Sequence, residues 1–387
     1  SPQQLFWRTQ SHFKTKELCT VFHKHVPYQY FFNNTISLQP MEFTLNSYFY
    51  KNLKMKKMFV SGFMLSLFLV SCSSVKPTKY MEAISASDLK TNLYVIAGDE
   101  MEGRNTGEPG QKKAGKYLIS QYEKIGVSYP KGATDFYQKV PAAFMSRAFS
   151  PKLNDSENIW AFIEGSEKPD EILVISAHYD HVGMKNGQVY NGADDDGSGT
   201  VALLEIAKAF MLAKKDGHGP KRSILFLHVT GEEHGLHGSR YYVEHPLFPL
   251  KNTIADLNID MIGRRDDKHK DNGNYVYLIG SDRLSTDLHK ISENANKEYT
   301  KLELDYKYND RNDPERIYYR SDHYNFAKNG IPSLFYFNGV HEDYHKATDT
   351  PDKIEYDLLQ KRAQLVFVTA WELANRKERP VIDRDGK

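Results

Sequence analysis

Two adjacent carboxylates, Glu232 and Glu233, follow directly on the apolar run Ser223 to Val229. They lie between Asp194-Asp195-Asp196 upstream and Asp260 downstream. One carboxylate can hold a metal ion while its neighbour carries a proton, which is how a metal-activated water is made and used. The pattern points to hydrolysis. His178, in Ala177-His178-Tyr179-Asp180-His181, adds a strand-end imidazole with a carboxylate two residues on that can brace a neighbouring group. Alone, that pair reads better as a surface histidine. The run 194–196 between glycines says more, because three successive carboxylates repel one another unless a cation neutralises them. A solvated acidic turn capping the next helix would have the same composition.

Side chains so far apart in sequence need a scaffold to meet. Gly110 opens a helix with apolar positions at Ala114, Tyr117, Leu118 and Tyr122, ending near Gly126. Glu171 to Ala177 is a largely apolar run with β-branched members, the mark of a strand covered on both faces. Val201 to Ala213 returns to helical spacing. Ser223 to Val229 and Asn252 to Asp260 read as two more strands, Gly330 to Phe337 as a last one, and Tyr356 to Asn375 as a closing helix. Alternating strands and helices predict a three-layer α/β domain, a mostly parallel twisted sheet with helices on both faces. In such sheets ligands bind beyond the carboxyl ends of the strands, which is where His178, Glu232-Glu233 and Asp260 fall.

The chain has 387 residues, 40% of them hydrophobic, enough for one sizeable core. Lysine plus arginine (51) balances aspartate plus glutamate (50), so no broad field favours nucleic acid as a partner. Only Cys19 and Cys72 occur, which excludes a cysteine-rich zinc module and leaves His, Asp and Glu to hold any metal. Met55-Lys56-Lys57-Met58, the short apolar run Phe59 to Val70 and Leu69-Val70-Ser71-Cys72 resemble a bacterial lipoprotein signal peptide over 55–71. The run is too short to span a bilayer. That resemblance makes Cys72 the lipid anchor of a protein of the bacterial cell envelope, with Ser73 after it favouring the outer membrane. Residues 1–54 then form an upstream extension, 72–82 a tether, 83–376 the catalytic domain and 377–387 a tail.

Taken in order, five segments resemble the M28 family of zinc peptidases, which includes bacterial aminopeptidases with two zinc ions. They are Ala177-His178-Tyr179-Asp180, Gly192 to Gly199, Gly231 to Ser239, Asn258 to Met261 and Tyr344-His345; Glu102 to Gly107 extends the similarity. The resemblance implies a zinc-dependent exopeptidase fold, two Zn2+ per chain and a peptide substrate. It makes His178 and Asp260 the terminal ligands of one zinc, Glu233 and His345 those of the other, and Asp195 the bridge, with a cis peptide following it. Glu232 would be the general base and Asp180 would orient His178. Tyr318, Arg320 and Tyr344 are candidates to stabilise the oxyanion or bind substrate.

His341-Glu342-Asp343-Tyr344-His345 also matches the H-E-x-x-H pattern of single-zinc proteases. That motif needs an amphipathic helix, whereas Gly339 before it and the polar stretch 346–351 after it read as a loop. The same metal ligands occur in carboxypeptidases and dipeptidases. A glutaminyl cyclase of related fold would need one zinc, and a non-catalytic binding lipoprotein is the non-enzyme alternative. Removal of amino-terminal residues is the leading expectation.

Overall fold

A computed structural model describes residues 75–146 and 152–385. The extension 1–54, the signal-like segment 55–71 and Cys72 lie outside the described residues. In chain order the strands are β1 (Tyr137–Val140), β2 (Ser156–Ile163), β3 (Lys168–His178), β4 (Met184–Lys185), β5 (Gln188–Val189), β6 (Arg222–Val229), β7 (Thr253–Ile259), β8 (Tyr275–Ile279), β9 (Glu303–Asp305) and β10 (Ser333–Phe337). Eight of them form one sheet in the order β1-β2-β6-β3-β7-β10-β8-β9, and β4-β5 is a separate hairpin. The centre, β6-β3-β7-β10, is parallel. β2 and β8 flank it antiparallel.

Helices of eight residues or more are α1 (Ala86–Ile96), α2 (Pro109–Lys124), α3 (Gly199–Lys215), α4 (His237–Glu244), α5 (Thr286–Ala295) and α6 (Tyr356–Asn375). Successive side chains of a strand point to opposite faces, so β3 sends Leu173, Ile175 and Ala177 into one core and Ile172 and Val174 into another. The first core packs residues of α1, α2, α3, α5 and α6; the second packs Tyr242 and Val243 of α4 and Phe326. This is the three-layer α/β architecture expected, with β1, β2, β8 and β9 widening the sheet beyond the strands legible in sequence.

Two boundaries need correction. The expected tether is packed from Thr78 onward, where a short helix, Thr78–Met81, buries Tyr80 and stacks it on Trp371 at 5.5 Å. The expected tail is also held. Arg379 pairs with Glu171 at 3.0 Å, Arg222 Nη2 donates to the Lys377 carbonyl, and Asp383 N donates to the Leu284 carbonyl. An aromatic among polar neighbours and a charged terminal run both look solvated until a partner far along the chain is known.

Candidate metal centre and cleft

The carboxyl edge of the parallel strands gathers residues from five segments. His178 ends β3, Glu232 and Glu233 follow β6, Asp260 follows β7, His345 follows β10, and Asp195 sits in the turn leading into α3. His178 Nε2 lies 3.2 Å from Asp195 Oδ1 and 3.6 Å from Asp260 Oδ1. His345 Nε2 lies 3.0 Å from Asp195 Oδ2 and 3.0 Å from Glu233 Oε2. Asp195 therefore turns one oxygen to each of two donor groups.

Its two neighbours are differently engaged. Asp194 Oδ1 accepts from Gly263 N and its Oδ2 lies 3.1 Å from His341 Nε2. Asp196 Oδ1 accepts from Gly199 N at 2.8 Å and Met261 N at 3.1 Å, tying the turn to the end of β7. Of the three, only Asp195 has both oxygens facing imidazoles, and the peptide joining it to Asp196 is cis. Asp196 Oδ2 has no hydrogen-bond partner, and a carboxylate oxygen of Asp196 lies within 4.8 Å of donor atoms of His178 and Asp260.

Sequence reasoning missed His181. Fully buried, its Nδ1 lies 2.8 Å from Glu233 Oε1 and 3.8 Å from Asp195 Oδ2, so a third imidazole faces the second donor group. Its place three residues after a strand-end histidine was the available signal. Asp180 meets His178 through its main chain. Its backbone carbonyl takes the His178 Nδ1–H at 3.0 Å, while its carboxylate stands 3.8 Å away. That carboxylate accepts from Thr106 Oγ1 at 2.7 Å and Glu232 N at 3.2 Å, so it holds the turn that carries Glu232. Arg104, fully buried, donates to the carbonyls of Ile96, Tyr179, Asn191 and Gly192 and pins the two loops on either side of His178.

Glu232 and Asp195 line a cleft with Asp260, Arg320 and Tyr344, above an apolar floor of Met261, Ile317, Phe335, Phe337 and Val340. Arg320 Nη2 donates to Tyr344 Oη at 3.3 Å, and the Tyr344 ring stacks on His345 at 3.9 Å. Tyr318 is not brought to the cleft. It is buried, 4.4 Å from the Arg283 guanidinium and 5.1 Å from the His323 ring, and burial raises its pKa to about 12. The segment 341–345 forms turns, with Glu342 exposed and His341 directed at Asp194. The helical H-E-x-x-H arrangement is absent there.

Burial raises the Glu232 pKa well above the ordinary carboxylate range, with Asp260 and Glu233 adding to it and His178 opposing. Burial also disfavours a charged His345, yet the carboxylates of Asp195 and Glu233 beside it push its pKa up to about 10. Such a carboxylate cluster calls for positive charge, which a divalent cation would supply. His178 Nε2, His181 Nδ1, Asp195 Oδ2 and Glu233 Oε1 are all buried without hydrogen-bond partners. Imidazole and carboxylate donors without thiolate suit zinc, so the residues present fit two such ions.

Comparison with known proteins agrees with this geometry. The chain is 33% identical over 308 residues to a probable leucine aminopeptidase of Trichophyton verrucosum (strain HKI 0517), covering 78% of this chain and 76% of that one. It spans 57% of a second probable leucine aminopeptidase, from Arthroderma otae (strain ATCC MYA-4605 / CBS 113480), at 33% identity over 56% of this chain. Its fold matches the crystal structure of the Legionella pneumophila LapA aminopeptidase with a TM-score of 0.60 and 21% identity, over 78% of this chain and 75% of that one. Residues 158–370 match the model of peptidase family M28, and this span contains all five converging segments, from His178 to His345. With the site assembled within the matched span, the chain belongs to peptidase family M28.

Proposed function

We propose that this protein is a two-zinc aminopeptidase that releases amino-terminal residues from peptides. The observation that carries the reading is the carboxylate of Asp195, which faces His178 with one oxygen and His345 with the other, while each imidazole also faces a second carboxylate, Asp260 or Glu233. His178, Asp195 and Asp260 would hold one ion and Asp195, Glu233 and His345 the other. When bound, the pair of ions supplies a water activated near neutral pH and polarises the scissile carbonyl.

The chain's own residues account for the rest. Glu232 takes the proton from the attacking water and delivers it to the leaving amine nitrogen, a role its position beside Asp195 in the cleft allows. Tyr344 and Arg320, on the cleft rim, offer O–H and N–H donors to the oxygen that gains negative charge. The apolar floor receives a substrate side chain and excludes water.

Glu232→Gln is the test. It is expected to keep two zinc ions per chain while hydrolysis of aminoacyl-anilides falls about 10²- to 10⁴-fold. A variant that stays active, or a wild type without zinc, would sink the proposal. Peptides with a blocked amino terminus should be spared; cleavage of these with release of the carboxy-terminal residue would make it a carboxypeptidase instead. One zinc per chain with pyroglutamate formation would make it a glutaminyl cyclase.

The chain is further proposed to be lipid-anchored through Cys72 in the outer membrane of a bacterial envelope, on the strength of the signal-like segment 55–71 and of Ser73 after the cysteine. Cys72→Ser should release the protein from the membrane fraction. Retention of that variant would overturn the anchor.

A further inference from the structure

Strand alternation turns Asp256, Asn258 and Asp260 to one face of the sheet, along and just beyond β7. Asp256 and Asn258 are fully buried, and Ser176 of β3 stands opposite Asn258 in register. A continuous line of contacts climbs from the middle of the sheet to its edge. Asp256 Oδ1 lies 2.8 Å from Ser176 Oγ, and Ser176 Oγ lies 3.0 Å from Asn258 Oδ1. Asn258 Nδ2 lies 2.8 Å from Ser321 Oγ, and Ser321 Oγ lies 2.7 Å from Asp260 Oδ2.

The upper end dictates the direction of every link. An ionised, metal-holding Asp260 can only accept, so Ser321 must donate its single hydroxyl proton to it. Ser321 then accepts from Asn258, which places the amide NH2 toward Ser321 and the amide oxygen toward Ser176. Ser176 uses its one proton on that oxygen. Its remaining contact, to Asp256, is a bond only if Asp256 itself donates. Turning the Asn258 amide around does not help, because Ser321 would then donate to Asn258 and set a lone pair against the Asp260 carboxylate.

We infer that Asp256 is a neutral, protonated carboxylic acid that seeds a one-way hydrogen-bond chain through Ser176, Asn258 and Ser321, and that this chain holds Asp260 Oδ2 so that Oδ1 is left for the metal. The surroundings agree. Asp256 Oδ2 has no hydrogen-bond partner, and a bare carboxylate with so little compensation is costly to bury. Burial raises the Asp256 pKa well above the ordinary range, the nearby Asp322 adds to it, and the Ser176 contact opposes it. Tyr242, on α4, is the other titratable neighbour and is uncharged at neutral pH. Asp256, Ser176 and Asn258 are thus positioning residues acting through Asp260, an assignment that rests on Asp260 holding metal.

The test uses the full zinc-loaded chain and the variants Asp256→Asn and Ser176→Ala. Wild type should show the infrared carbonyl band of a protonated carboxylic acid near neutral pH, and Asp256→Asn should remove it. Asparagine can still donate to Ser176, so Asp256→Asn should retain zinc within about twofold of wild type. Ser176→Ala interrupts the chain and should weaken one of the two zinc ions about 10- to 100-fold in chelator competition, leaving the other as an internal control. A band unaffected by Asp256→Asn, or zinc loss as large in Asp256→Asn as in Ser176→Ala, would overturn the inference. Should Ser176→Ala not fold, the infrared comparison decides alone. Zinc content separates the two readings: a wild type without zinc fails the metal centre, whereas two zinc ions without the band fails only this inference.

Discussion

Asp195 presents both carboxylate oxygens to imidazoles, whereas Asp194 and Asp196 commit an oxygen to backbone amides of the 261–263 segment. Asp195→Ala should therefore empty both zinc positions and reduce peptide hydrolysis to background, checked by metal analysis of the purified variant. Triple aspartates marked the segment in the sequence, but repulsion among like charges is the same for all three. Family resemblance singles out Asp195, and in the structure their hydrogen bonds separate them. The same holds for Tyr318 and Tyr344. The tight turn Ile317–Tyr319 buries Tyr318 and leaves Arg320 exposed on the cleft rim, a division that residue type does not encode. Tyr344→Phe should lower kcat roughly 10²- to 10³-fold if its hydroxyl meets the oxyanion. Tyr318→Phe should leave kinetics within about twofold. Steady-state rates with a leucyl-anilide compare the two.

At the scale of elements, the loop between β10 and α6 must present His345 at a fixed place, and charged contacts hold it. Arg264 Nη2 donates to Asp343 at 3.0 Å and Lys353 Nζ at 2.6 Å, while His341 meets Asp194. Asp349, fully buried, accepts from Asp194 N and Asp195 N and so ties this loop to the turn carrying Asp195. Asp349→Ala would strand two buried N–H groups and should cost about 1–3 kcal/mol for each in urea unfolding, with Asp349→Asn milder. Zinc retention should fall alongside. Helix α6 was legible because its apolar positions recur at helical spacing over Tyr356–Asn375. Strand β2 was not, since Ser156, Glu157 and Asn158 interrupt its apolar run. Two of them turn toward the site: Ser156 Oγ meets Thr230 Oγ1 at 2.6 Å, and Asn158 takes Thr230 N at 3.0 Å, bracing the start of the turn that bears Glu232. Polar residues that serve the site hide the strand that holds them.

For the whole molecule, two stability levers follow. Zinc bound only by the folded state should stabilise it by about 4 kcal/mol per ion at a thousandfold excess over Kd, so chelation should lower Tm in calorimetry. Acid is the second. His228 and His323 are fully buried, and burial lowers their pKa values to about 3 against about 6.5 in the unfolded chain. Below about pH 6.5 only the unfolded state takes up these protons, so their destabilising effect is absent above that pH and grows as pH falls toward 3. Each should remove about 2 kcal/mol at pH 5, and His323→Asn should flatten the fall measured by denaturant titration. By itself the sequence determined the α/β class, the order of the central elements and the residue types of the centre, because burial periodicity and charge repulsion are local properties. That Asp195 alone of the three aspartates turns both oxygens to imidazoles, that His181 joins the donors, that Asp180 braces Glu232, and that Tyr318 stays in the core were decided by the tertiary structure. Those outcomes depend on which lone pairs and protons remain unspent once distant strands are packed side by side, and no local pattern records that.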